Sequence, residues 1–513
     1  MDDISIRLTP GALNDLLSPP NLTRLSELSD KSKHCLGTSA ADALSSLAAA
    51  GDEVRLHALN YALPSLHKRV AANLHCCSQE LHEVTLLTVA YIASHAQTDL
   101  GSSQLQELTR SLEAAIAGIA IASIIDSHTI DEDLLVKLTA VTDPRDSWTT
   151  PVAASAASRI LSEQLPTPRL TEFITVKILQ GTLKPLFMKS PSSRITASGR
   201  PSQYTIVDDR SRDFQAAQPW RNQAPWVEAM VQWAVSASTA PLIREHWPLF
   251  MPVLLALVED ESIEIKARGL KTLAAFVERC PAQVLQSTGI GRVFVDVTFP
   301  LLLYLPSVTP EDQSIAVLSP AYDVLIKLAE RTGNPASSER RRVFDKILRD
   351  GIFAGHHHAS QYTRIVQVLM QKTAVVVNCL GIYSIKHLSP LLSMSSSIMT
   401  DPFAVAHPPT LRATTQLLGA IITNAWPRVR ESEHMDNVIR ILSLCWLNLL
   451  EELEHGSSQD QREDLQALSQ ELMSQGEALK ALWADDTPKR PPKLDEVLKQ
   501  EPKLSELFPS ASA

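Results

Sequence analysis

The stretch WPLFMPVLLALVEDESIEIKARGLKTLAAFVERC, from Trp247 to Cys280, sets two apolar runs on either side of a short acidic break. Phe250, Val253, Leu254, Leu257 and Val258 recur three or four apart, which draws one stripe along a helix. That helix is expected to begin around Pro248, where a missing N–H costs nothing, and to bend at Pro252. Asp260 is expected to end it and to cap the next helix, whose positive N-terminal end Glu261 and Glu264 favour. Ile265, Gly269, Leu273, Phe276 and Val277 form the second stripe, with Gly269 allowing close approach of the paired helix. Two helices joined by an acidic turn make one hairpin, and a hairpin this short can bury its stripes only against neighbours of the same kind.

The rest of the chain has the same texture. At 513 residues it exceeds a single hydrophobic core, and it is poor in Gly (17) and aromatics (5%), so helix is favoured over strand. Apolar helical runs separated by polar breaks fill Ala41 to Leu186, among them Ser103–Ile125, Ile130–Thr142, Pro151–Gln164 and Leu170–Leu186. The expected fold class is therefore all-α, an α-solenoid of antiparallel helical hairpins. The expected divisions are N-terminal helical repeats over 1–188, a Ser/Pro/Arg-rich linker over 189–222, a C-terminal solenoid over 223–455, a helix over 456–484 and a disordered tail over 485–513. Within that tail at most a short helix, Asp495 to Gln500, is expected.

The residues from Glu259 to Leu273 match the second-helix pattern of HEAT repeats: a turn Asp260, a branched aliphatic Ile265, a basic Lys266, a small Gly269 and then Leu273. Further pieces flank it. Pro219-Trp220, Trp226 and Trp233 lie upstream; TGIGRVF with Gly289, LPSVTPED with Pro306, Thr309 and Pro310, and AYDVLIKLAE ending at Glu330 lie downstream. Over Pro219–Glu330 the series resembles the family of Tel-two-interacting protein two, a subunit of the Triple-T (TTT) complex. The resemblance implies a non-catalytic scaffold whose partners are Tel-two-interacting protein one and Tel-two. It implies work with the ninety-kilodalton heat-shock chaperone and its co-chaperones on phosphatidylinositol-three-kinase-related kinases (PIKKs), in the cytoplasm and nucleus. The alternative from the same repeats is a transport adaptor or phosphatase scaffold acting outside that complex.

The partner-binding candidates are Trp220, Trp226, Trp233, Trp247 and Arg268. Clustered tryptophans on a helix face also suit core packing, and of the four Trp220 is expected to be the exposed one because it sits in a loop. Lys266 and Arg268 lie about 200° apart around a helix, so they cannot face one ligand. Lys266 is assigned to the turn and Arg268 to solvent or a partner. In LPSVTPED, Thr309 reads as an N-cap, Pro310 as the first helical residue and Asp312 as the closing acid of a capping box.

No catalytic, cofactor or metal site is expected. His356-His357-His358 reads as adjacent imidazoles in a loop, without the spacing of a zinc site. His82-Glu83 lacks the second histidine of a zinc-protease helix, and Thr288-Gly-Ile-Gly291 is a turn rather than a phosphate loop. The six cysteines, Cys35, Cys76, Cys77, Cys280, Cys379 and Cys445, have no framework spacing and read as reduced packing residues. A net charge of −10 works against a general grip on nucleic acid or an anionic membrane. The N-terminus MDDISIRLTP lacks the order of a signal peptide, apolar runs such as Ala114–Ile125 fall short of the roughly 20 residues that span a bilayer, and no membrane segment is expected.

Overall fold

The computed structural model describes residues 130, 132–146, 149, 151–187, 194–196, 199–201, 220, 224, 226–331, 333–334, 336–455, 459–482 and 492–508. The helices expected between Ala41 and Ile125, and Cys35, Cys76, Cys77, His82 and Glu83, lie outside the described residues. Among the described residues all regular structure is helical, and the one strand-like pairing is an isolated bridge between Ile195 and Pro201. The chain forms two compact units, one ending at Asp260 and the other beginning at Glu261.

In the first unit α1 (Glu132–Thr139) packs on α2 (Pro151–Gln164), which has the span expected from its sequence. A continuous rod follows: α3 (Thr167–Glu172), a π-helical segment (Phe173–Leu183) and α4 (Lys184–Phe187). Its buried residues, Phe173, Ile174, Ile178, Leu179 and Leu183, recur at five-residue steps. That step matches an i→i+5 ladder, so the wider helix keeps in one stripe what an α-helix would rotate away. The Thr182 hydroxyl donates to the Lys177 carbonyl, five residues back, at 2.8 Å. The π segment is the hub of this unit, touching α1, α5 (Val227–Ala237) and α6 (Ala240–Val258).

Helix α6 starts earlier than the apolar stripe suggests. Thr239 caps it, its hydroxyl accepting from the Leu242 amide at 3.5 Å, and Pro241 occupies the first turn. Pro248 and Pro252 then both lie inside the helix. Pro252 has no N–H to offer the Pro248 carbonyl four residues back. Gly199, at φ +77°, approaches that carbonyl so closely that a Cβ built on it would stand 2.0 Å from the oxygen. Parts of the expected linker are thus docked: Ile195 and Trp220 are buried, and Arg194 pairs with Glu259 at 3.0 Å.

The second unit opens with α7 (Ile263–Arg279), capped not by Asp260 but by Ser262, whose hydroxyl accepts from the Ile265 amide at 3.5 Å. Short helices α8 (Ala282–Ser287) and α9 (Ile290–Thr298) meet at Gly289, which adopts the left-handed conformation. A 3-10 turn, Phe299–Leu303, leads into α10 (Glu311–Arg331). This helix starts one residue after the position expected. The Pro310 carbonyl takes the first helical bond, from the Ser314 amide at 2.8 Å, and Asp312 pairs with Arg364 rather than closing a capping box.

After α10 come α11 (Ser338–Lys346), a π segment (Ile347–Phe353) and α12 (Ala354–Ala359), then α13 (Thr363–Leu380). The His356–His358 triplet therefore lies in a helix, not a loop. Next are α14 (Leu388–Met399), α15 (Pro408–Asn424), α16 (Trp426–Val429), α17 (Ser432–His455), α18 (Gln459–Ala481) and α19 (Pro492–Gln500). In the stretch expected to be a disordered tail, α19 is longer than the short helix anticipated, and Leu494, Leu504, Leu507 and Phe508 are buried.

The long helices α7, α10, α13, α15 and α18 pack in that order. Asp312, Asp323 and Glu330 along α10 meet Arg364, Lys372 and Cys379 along α13 in the same sequence order, so the two helices run parallel. Thr363 and Asn378 of α13 likewise meet Thr410 and Asn424 of α15. The partners in these pairs are 46 to 52 residues apart. Between parallel helices the chain must return, and α11–α12 and α14 supply the return segments.

One described stretch, Thr363–Met399, is long and apolar enough to cross a membrane, which the sequence reading did not expect. It is not one helix: a 3-10 segment, Gly381–His387, separates α13 from α14. Its apolar side chains Ile365, Leu369, Val376 and Val377 are buried, and Lys372 pairs with Asp323 at 2.7 Å.

Lys266 is buried, 5% exposed, and its ammonium donates to the Tyr304 hydroxyl at 2.7 Å while lying 4.7 Å from that ring's centre. Removing one partner of a buried charged hydrogen bond strands the other. Lys266→Ala is expected to cost about 2–3 kcal/mol and Tyr304→Phe about 1 kcal/mol, with the double variant costing less than the sum, as read from denaturant unfolding. Gly199→Ala is expected to release Gly199 from the Pro248 carbonyl, lowering stability by about 1–3 kcal/mol and speeding amide exchange at Gly199, because strain and a backbone clash add there.

Candidate partner-binding surface

The sequence candidates divide by burial. Trp220 is only 3% exposed, with its ring 5.3 Å from that of Phe187, which corrects the exposure expected of it. A large apolar ring gains more by packing than by standing in solvent, wherever the local text places it. Trp247 is also buried. Trp226, at the start of α5, and Trp233 are half-buried, and Trp233 lies edge-on to Phe173 with centres 6.0 Å apart. Arg268 is half-buried on α7.

The signature residues are largely structural. Asp260, Lys266 and Gly269 are buried, whereas Ile265, Pro306 and Thr309 are half-buried and Pro310 is exposed. Gly289 sets the turn between α8 and α9. Among these the structure brings Lys266 to the Tyr304 turn, just ahead of Pro306–Pro310.

The most exposed large apolar side chains were missed by the sequence reading. Leu303 (68% exposed) and Val308 (86%) lie in the turn before α10, and Phe403 (84%) lies in the 3-10 turn before α15. Because α10, α13 and α15 run parallel, the turns that precede them share one edge of the row. Ile382, Tyr383 and Trp426, between 42% and 45% exposed, follow α13 and α15 and so lie on the opposite edge. There Arg341 stacks over Tyr383 at 4.1 Å and Arg430 over Trp426 at 5.7 Å, so cations share the aromatic faces. Among the described residues these Leu, Val and Phe side chains stay largely uncovered, and exposed apolar side chains gathered on one edge have the chemistry of a protein-contact surface.

Burial and local pairing shape several of the ionisable groups. Burial pushes the Cys280, Cys379 and Cys445 thiols up to about 12, which keeps them protonated near neutral pH. Burial, and then His357, lower the His356 pKa. Among the described residues no group of three His, Cys, Asp or Glu could hold a metal ion. Asp345 resists its partial burial because hydrogen bonds from Lys386 (2.7 Å) and His387 (2.6 Å) hold its carboxyl below the usual range. That triad ties α11 to the segment before α14 and is a joint rather than a site.

No solved structure matches the chain. The Tti2 family model matches residues 134–406, more than half of the sequence. The matched region holds Leu303, Val308 and Phe403 and ends before Trp426. On that match, and in agreement with the resemblance carried by Pro219–Glu330, the chain belongs to the Tti2 family, that of Tel-two-interacting protein two.

Proposed function

We propose that this chain is the non-catalytic scaffold subunit of a TTT complex, holding Tel-two-interacting protein one and Tel-two through the exterior of a HEAT-like α-solenoid. In this role it assists the chaperone-dependent maturation and stability of PIKK kinases, in cytoplasm and nucleus. Family membership over residues 134–406 carries the reading. Parallel helices offset by 46 to 52 residues support the repeat architecture, since HEAT units span roughly 40–47 residues and return through an antiparallel helix. The edge bearing Leu303, Val308 and Phe403 is the main partner contact, because its apolar side chains are the most exposed among the described residues and none is shared with a stacked cation. Trp226, Trp233 and Arg268 are secondary contacts, being half-buried.

The test is co-purification of the full chain with co-expressed Tel-two-interacting protein one. Leu303→Ser combined with Val308→Ser and Phe403→Ser is expected to weaken capture at least about tenfold while leaving thermal unfolding unchanged, since apolar anchors carry most interface energy. Ile382→Ser with Trp426→Ala is expected to leave capture intact. The reverse pattern would move the contact to the other edge. Recovery from cells of a transport GTPase or a phosphatase catalytic subunit, in place of the other TTT members and PIKK kinases, would replace the scaffold assignment with the alternative one.

A further inference from the structure

Residues 503–507 are held against the last long helices of the second unit by contacts of a particular kind. The Trp446 indole N–H, on α17, donates to the backbone carbonyl of Lys503 at 3.0 Å. Gly476, on α18, lies so close to Leu507 that a Cβ built there would stand 2.1 Å from the Leu507 carbonyl oxygen. Both contacts are made first to backbone, the second with the Leu507 Cδ1 also close by. The side chains that enter are Leu504, Leu507 and Phe508, each at most 2% exposed, while Ser505 and Glu506 between them face solvent. A 3-10 turn, Pro502–Ser505, carries Leu504; Leu507 and Phe508 follow it in the turn beyond, where the Phe508 amide donates to the Leu504 carbonyl at 3.0 Å. Lys503 pairs with Glu454 at 2.8 Å, but both are exposed, so the pair orients more than it binds.

Main-chain bonds for affinity and pockets for spaced apolar side chains are the two halves of peptide recognition. We propose that the surface between Trp446 and Gly476 is a peptide-binding groove for a Leu-x-x-Leu-Phe segment, occupied in cis by the chain's own Leu504–Phe508. The occupying piece is small: one nine-residue helix packed on one turn, with the turn held by α17 and Leu507 by α18. It therefore opens as a unit without unfolding the row of long helices. When it opens, the groove accepts another segment of the same class, and the tail acts as a displaceable occupant.

The probe is a fluorescent peptide of residues 492–513, titrated into two full-length chains. One is unaltered; the other carries Leu504→Ser, Leu507→Ser and Phe508→Ser and must match the first in helicity and cooperative melting. Saturable binding to the altered chain, at least about tenfold tighter than to the unaltered one, is expected. Adding Gly476→Ala to the altered chain should abolish it; alanine favours the helix itself, so that loss reports the lost backbone approach. Absence of binding to the altered chain, or undiminished binding after Gly476→Ala, overturns the proposal. Should the altered chain misfold, hydrogen exchange on the unaltered chain decides. Amides of 494–508 are expected to exchange together and faster than those of α15, independently of protein concentration. Exchange only with the whole unit overturns a displaceable tail, and slower exchange at higher concentration assigns the groove to a second copy's tail instead.

Discussion

The second unit stands on one repeated contact, the face of a long helix buried against a parallel helix about 50 residues further along the chain. In α13 that face is Ile365, Leu369, Val376 and Val377, and in α15 it is Leu411, Leu417, Leu418 and Ile421. Burying each such side chain contributes about 1.5–3 kcal/mol, whereas exposed ion pairs contribute about 0–1 kcal/mol. The exposed pair Arg364–Asp312 therefore fixes which residues stand opposite each other more than it holds the helices together, whereas Lys372–Asp323, with its lysine largely covered, belongs to the packed face itself. Parallel order follows from the same geometry, since the intervening helix must carry the chain back before the next face can be laid down.

Helical class and the hairpin motif were legible because each long helix is strongly periodic and each is flanked by a turn residue. Pro151–Gln164 shows both, and its span matched. Boundaries failed where two signals competed. Asp260 and Ser262 are both good caps, and only the structure shows that Ser262 reaches the Ile265 amide. Pro248 looked like a helix start because mid-helix proline is costly, but Thr239 with Pro241 had already begun the helix and Gly199 packs against the carbonyl that Pro252 leaves without a helical donor. The π segment was readable in retrospect from the five-residue recurrence of Phe173, Ile178 and Leu183.

The surface was less legible than the core. Tryptophan drew attention by its chemistry, yet Trp220 and Trp247 went inside, as large apolar rings do when a neighbour offers a face. The exposed residues Val308 and Phe403 had a different signal: an apolar side chain in a proline-bearing turn, SVTPED and TDPFAV, between two helical stripes. Their common edge is invisible in one dimension, because it follows from the parallel order of helices that lie nearly a hundred residues apart in sequence.

The row of long helices makes its main contacts only between nearest neighbours, α7 with α10, α10 with α13, α13 with α15 and α15 with α18. Mechanically such a row is compliant along its length and stiff across it. A few degrees of rotation at each interface accumulate, so the spacing between the turns at Leu303–Val308 and Phe403 adjusts while every helix face stays packed. Accommodation to a differently curved companion is thus distributed over several joints, with no hinge required and no helix unfolded.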